Sequence, residues 1–280
     1  MFKNVSIAKK ITIGFSSVLF LMLVVGGIAF YALTKASNGF TQYREMARDA
    51  NLAGRLQANM LMVRMNVKDY IITGSDHDIK QYHEYFEEME TFLQEAQREI
   101  HNPERAAKID AVDSETDHYD KAFKEVIEFM KQRNKQVNDV IFIQGPIMVD
   151  TLTDIMVSAN KDNDTVAAFH TGLALKHLLL SRLYASKFLE KNQQSSVDRV
   201  NKEFGKMQER LDILDKELES PNRRRMLSII VEAKMLYLKA FDEVVKIIFA
   251  RNKVIKNQLD KLGPAIAKDT EDVKLSIKAV

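Results

Sequence analysis

Residues 133–146 read RNKQVNDVIFIQGP and residues 251–264 read RNKVIKNQLDKLGP, an Arg-Asn-Lys opening and a Gly-Pro close repeated 118 positions apart. The same offset holds, without a gap, well beyond these segments. Gly54 matches Gly172, and Arg64 matches Arg182. Phe86 and Met89 match Phe204 and Met207, and Pro103 and Arg105 match Pro221 and Arg223. Tyr119, Ala122 and Phe123 match Tyr237, Ala240 and Phe241. All four prolines fall into two such pairs. The period is far too long for a solenoid repeat and marks a duplicated module.

Between these landmarks the sequence is helical. Only 4 prolines and 10 glycines interrupt 280 residues, of which 29% are charged, and there is no tryptophan. Such a composition suits long helices and leaves few places for them to stop. In the first copy a helix runs to about residue 75, where Thr73-Gly74-Ser75-Asp76 breaks it. A second runs from about 78 to 101, with Tyr82, Phe86, Met89, Leu93, Ala96 and Ile100 as its apolar stripe. Pro103 opens a third at its first turn, where a missing N–H costs nothing. That helix meets no strong stop before Asn160-Lys161-Asp162-Asn163-Asp164. The second copy repeats the pattern at about 164–193, 195–219 and from Pro221 onward.

At about 1.5 Å of rise per residue, the third and sixth helices are long enough to run past both short hairpins. The expected fold is all-α with six helices. An N-terminal transmembrane helix is followed by two end-to-end stacked four-helix bundles that share two long helices. The inner module is expected over about 34–128 plus 246–280, and the outer over about 129–245. Gly145-Pro146 and Gly263-Pro264 interrupt the long helices, because an interior proline removes a hydrogen bond and kinks the helix. Two readings stay open: a bend that fits each bundle's end, or a hinge.

Residues 11–33 form a run of 23 without a charge, where about 20 suffice to span a bilayer. Lys3, Lys9 and Lys10 precede it, so the positive-inside rule puts residues 1–10 in the cytoplasm and residues 34–280 outside. A cleaved signal peptide would have an apolar core of about 7–15 residues and a small-residue cleavage site. This run is longer and continues into helix-forming sequence, which favours an uncleaved inner-membrane anchor with a periplasmic, extracytoplasmic region behind it.

Charge and residue usage narrow the function. With 41 basic and 39 acidic residues there is no global field to attract nucleic acid. The absence of cysteine excludes disulfides and thiolate metal sites. His170 and His177 stand two turns apart without further ligands, so no metal is expected. The 13 methionines mostly lie on apolar stripes as core filler. No nucleophile–base pair, phosphate-binding glycine loop or catalytic carboxylate pair is evident. The chain reads as a protein without catalysis or cofactor.

Two modules sharing two long helices next to a membrane span resemble the helical bimodular sensor domain of methyl-accepting chemotaxis receptors. The resemblance covers about 34–280. It is carried by Val-Arg-Met-Asn-Val-Lys-Asp-Tyr-Ile at 63–71, Ala-Arg-Asn-Lys at 250–253 and Leu-Gly-Pro at 262–264. It implies a homodimer, small organic acids as ligands, a second span beyond residue 280 and cytoplasmic signalling proteins reached through a part outside this chain. The chain would then be part of a longer chemotaxis receptor. A transmembrane histidine kinase, reading a small ligand or a periplasmic binding protein, is the alternative output. A structural stalk without ligand is the third reading.

Candidate ligand-binding residues are polar side chains on apolar stripes. Arg251 lies on the Val244, Ile248, Ile255, Leu262 face, Thr116 and Tyr119 on that of Ile109, Val112, Phe123 and Val126, and Arg64 between Met60 or Leu61 and Val67. Their heights along the helices differ by roughly 13 Å, so Arg64, Arg251, Thr116 and Tyr119 are expected to form an inner-module site. The repeat places Arg133, Arg182, Lys234 and Tyr237 in the outer module. A guanidinium matches a carboxylate with two parallel hydrogen bonds, which points to organic acids. The competing reading is that each arginine pairs with a buried Asp or Glu, although Glu87, Glu88, Glu90 and Glu115 fall off the stripes and are expected in solvent.

Overall fold

The computed structural model describes residues 6–277. Lys3 of the expected cytoplasmic segment and residues 278–280 lie outside the described residues. Among these there are six helices and no strand. They are α1 (Ile7–Thr73), α2 (Asp76–Glu99), α3 (Pro103–Lys161), α4 (Thr165–Lys191), α5 (Gln194–Glu217) and α6 (221–276). The six-helix, all-α reading holds, and both long helices exceed 50 residues, with α3 at 59.

Local chemistry sets the helix ends. α1 stops at Gly74, whose φ of 68° is left-handed and whose N–H bonds Tyr70 O at 2.8 Å. Asn192, 118 positions on, ends α4 in the same conformation, with φ 56° and its N–H on Phe188 O. Glycine and asparagine are the residues that tolerate this C-terminal cap. Ser75 and Asp164 cap the N-termini of α2 and α4 through their side chains. Pro103 and Pro221 open α3 and α6, and Asn102 Oδ1 accepts from the N–H groups of Glu104 and Arg105.

The two Gly-Pro pairs do not stop their helices. Each follows a five-residue π turn, Val137–Ile141 in α3 and Ile255–Leu259 in α6, after which the α-helix resumes. The wider turn provides for a proline ring that would otherwise strike the carbonyl four residues back. The core pattern requires it as well. Buried Val254 and Leu259 are five residues apart, a step that a regular α-helical stripe does not make.

The chain divides into two compact units. Among the described residues, the first comprises 6–116 and 264–277, the second 117–263, and α3 and α6 contribute to both. In the first unit, α2 buries Tyr82, Phe86, Met89 and Leu93 with Leu56, Met60 and Val63 of α1, Ile109 and Val112 of α3, and Ile266 and Val273 of α6. The second has a core of Leu152, Ile155, Leu178, Phe188, Phe204, Leu211, Ile230 and Phe241. Each such side chain contributes about 1.5–3 kcal/mol by leaving water. Residues 7–45 of α1 are exposed throughout, and this helix is long and apolar enough to cross a membrane. A stretch of α3 passes the same test of length and composition, yet it buries Met148, Leu152 and Ile155 in the second unit's core.

The repeated arginines two residues after Pro103 and Pro221 tie each unit together. Arg105 is buried and its Nη1 lies 3.2 Å from Asp49 Oδ2, itself buried. Arg223 reaches Asp162 at 2.6 Å and Asp164 at 3.2 Å. Removing a guanidinium strands a charge in the first case, whereas the second leaves two acids with access to solvent. Arg48 stands 3.6 Å from Asp49 and softens the loss. Arg105→Ala is therefore expected to cost about 3 kcal/mol and Arg223→Ala about 1 kcal/mol, as measured by urea unfolding of the full chain in detergent. Equal costs would overturn this ranking.

Candidate functional site

Arg182 projects from α4 across α3 where α3 carries no side chain. A methyl at Gly145 would stand 2.9 Å from Arg182 Nε and 3.3 Å from Cζ, so the glycine makes room for the guanidinium. Beside it lies a cavity of ≈250 Å³ lined by Arg182, Tyr237, Ser186 and the apolar Phe142, Leu179 and Leu183, among others. No carboxylate among the described residues comes within 4 Å of Arg182. The Tyr237 ring is buried with its centroid 5.3 Å from that of Phe204. Burial pushes its hydroxyl up to about 12, with the charge of Arg182 opposing, so at neutral pH it stays an O–H that can donate. A cation, a phenol and a hydroxyl thus surround an otherwise apolar hollow.

The other expected residues divide as follows. Lys234 donates to Gln208 Oε1 of α5, and burial holds its ammonium below the usual range, with Asp212 opposing. Arg133 and Arg251 both belong to the second unit and are half-buried. Arg251 reaches Asn192 Oδ1 at 2.9 Å and Met130 Sδ at 3.1 Å. Tyr119 is buried in the same unit. Arg64 and Thr116 belong to the first unit. Arg64 is half-buried, and Thr116 Oγ1 is buried without a hydrogen-bond partner. Glu115, expected in solvent, is half-buried. Burial first, then the charge of Asp269, raises its carboxyl above the usual range.

Sequence reasoning missed one charged cluster. His177 Nδ1 lies 2.7 Å from Glu203 Oε2, and both residues are buried between α4 and α5. Arg199 Nε and Lys206 Nζ stand 2.9 and 3.9 Å from the other oxygen. The available signal was Glu203 among the inward Val200, Phe204 and Met207, with cations at i−4 and i+3. A larger hollow, ≈760 Å³ between α5 and α6, is lined by acids and arginines together, and Arg224 lies 3.7 Å from Asp215 within it. Its other arginine, Arg225, donates to Asn222 Oδ1 at 2.7 Å.

The second unit is a helical bundle that holds Arg182 over a small cavity. A family model described as a four helix bundle sensory module for signal transduction matches residues 4–161, more than half of the chain. The chain belongs to this family, the sensory modules of chemotaxis receptors. Comparison with curated proteins gave no match. The family match ends at the last residue of α3, so it covers α1 to α3 and stops before the second hairpin.

The Glu203 cluster carries a pH signature. Burial alone would raise this carboxyl, but the His177 hydrogen bond, together with Lys206 and Arg199, outweighs burial and holds it below its ordinary 4.5. A carboxyl depressed by folding stabilises the fold above its unfolded value and loses that contribution as pH falls through its folded one. Stability to urea should therefore fall on acidification below about pH 4.5, and Glu203→Gln should flatten that slope. An unchanged slope in the variant would refute the assignment.

Proposed function

We propose that this chain is the membrane-anchored, extracytoplasmic sensory part of a chemotaxis receptor that binds a small organic acid in the Arg182–Tyr237 cavity. The observation that carries the reading is Arg182 itself. It is a guanidinium held over a ≈250 Å³ cavity by a glycine made to fit it, with no carboxylate of the described residues within 4 Å. A charge drawn partly out of water needs a partner, and a monocarboxylate brings one. Its two oxygens meet the guanidinium, one of them accepts from the Tyr237 hydroxyl, and its short apolar tail lies against Leu179, Leu183 and Phe142. The volume limits the ligand to a few carbons. Anchoring is supported by the fully exposed apolar stretch of α1, and an outward orientation by Lys9 and Lys10 on its N-terminal side. Signalling by shifts between helices calls for a second copy as the reference against which they move, so the working form is a homodimer.

The test is thermal melting of the full chain in detergent micelles against acetate, propionate and larger acids. At 100 times its Kd a ligand adds about 2.7 kcal/mol, a rise on the order of 5 °C for a protein of this size. Arg182→Gln should abolish the rise. Gly145→Ala should abolish it too, while keeping stability within about 1 kcal/mol, since the gain in helix propensity offsets the crowding of Arg182. A response that survives Arg182→Gln, or no response to any small acid, would overturn the reading. The assembly claim is checked separately by sedimentation of the detergent-solubilised chain, where a monomer at every concentration would defeat it.

A further inference from the structure

The Arg-Asn-Lys motif that occurs in both copies is brought together in the second unit. Arg133 stands one turn before the π turn of α3 and Arg251 one turn before that of α6. The guanidinium of Arg251 reaches across to α3, to Met130 Sδ one turn before Arg133. Each arginine donates to the asparagine that follows it, Arg133 to Asn134 Oδ1 at 2.8 Å and Arg251 to Asn252 Oδ1 at 2.8 Å. Asn192, the left-handed cap at the end of α4, accepts from both Arg251 and Asn252 through its Oδ1.

Every one of these acceptors is neutral, and the thioether is a weak one. No carboxylate among the described residues lies within 4 Å of either arginine. Arg133 Nε is buried without any hydrogen-bond partner. Burial lowers both guanidiniums, and for Arg251 the charge of Arg133 is the second cause. The exposed Lys135 and Lys253 follow directly and add to the positive field. Two half-buried like charges, with one donor unused and one spent on sulfur, make an arrangement that is unfavourable without an anion.

We propose that Arg133 and Arg251, with Asn192 holding the second of them, form a binding site for a small doubly charged oxyanion, separate from the Arg182 cavity. Two guanidiniums on different helices supply two charges and two forks. The dianion would take the unused Arg133 Nε and replace the thioether as acceptor for Arg251. A short dicarboxylate and inorganic phosphate share this chemistry.

Isothermal titration calorimetry of the full chain in detergent, at fixed ionic strength, with succinate, inorganic phosphate and acetate decides the matter. Succinate or phosphate should bind the unaltered chain, and whichever binds more tightly identifies the source. Arg133→Gln and Arg251→Gln should each weaken that binding at least tenfold, and Arg182→Gln should leave it unchanged. Without ligand, Arg133→Gln should melt no lower than the unaltered chain, since it removes a repulsion. If the glutamine variants do not fold, Arg133→Lys and Arg251→Lys decide, because they keep the charge and lose the fork. Weakening then supports the site and unchanged binding overturns it. The site is also overturned if neither dianion binds, or if Arg182→Gln abolishes dianion binding. Failure of acetate to bind while a dianion does would remove the cavity reading and leave this one standing.

Discussion

A guanidinium withdrawn from water keeps its charge and its five donors, so something must meet them. That constraint sorts the arginines of this chain into two kinds. Arg105 and Arg223 are met from within, by Asp49 in one unit and by Asp162 and Asp164 in the other. They fasten the start of a long helix to its neighbours. Among the described residues, Arg182, Arg133 and Arg251 are met by neutral groups or by no carboxylate at all. The first kind serves the fold, and the second is where the fold leaves room for a charge from outside.

Duplication supplied both kinds from the same positions. Gly74 and Asn192 answer the same demand, a left-handed residue to end the first helix of a hairpin. Glycine meets it with no side chain, whereas asparagine adds a carboxamide that takes up Arg251 and Asn252. Asn59 donates to a carbonyl of its own helix, while its counterpart His177 reaches across to a buried glutamate. In these places the second copy carries polar chemistry where the first is simpler. The backbone requirement stayed constant while the side chain that satisfied it changed.

This history explains what could be read from the sequence. Helix number and length were legible because four prolines and a few polar stops are the only breaks in long stripes of period 3.6. Arg182 and Tyr237 were legible as a pair because the repeat and the stripe placed them at similar heights. The π turns were not. A Gly-Pro in a helix announces a lost hydrogen bond, but the place where the backbone absorbs it depends on which carbonyl the next N–H chooses. The approach of Arg251 to α3 near Arg133 escaped for a related reason. Rise per residue fixes height along a helix, while the side chain's direction around the axis shifts by about 100° for each residue added to a turn. Glu203 escaped because acids beside a stripe were read as solvated, although cations at i−4 and i+3 and a histidine across the hairpin hold it in the core.

A ligand moves a protein only through elements whose free energy it changes. The Arg182 cavity is walled by α3, α4 and α6, and the Arg133–Arg251 pair bridges α3 and α6 beside their π turns. Helices α4 and α5 begin and end within the second unit, whereas α3 and α6 continue into the first. Whatever binding energy becomes signal must therefore pass along α3 or α6. Both carry, next to the arginines, a turn with one residue too many. Such turns are rare within α-helices and occur frequently at functional sites. The contacts that an anion between Arg133 and Arg251 would make lie about one turn from the π turns of the same two helices.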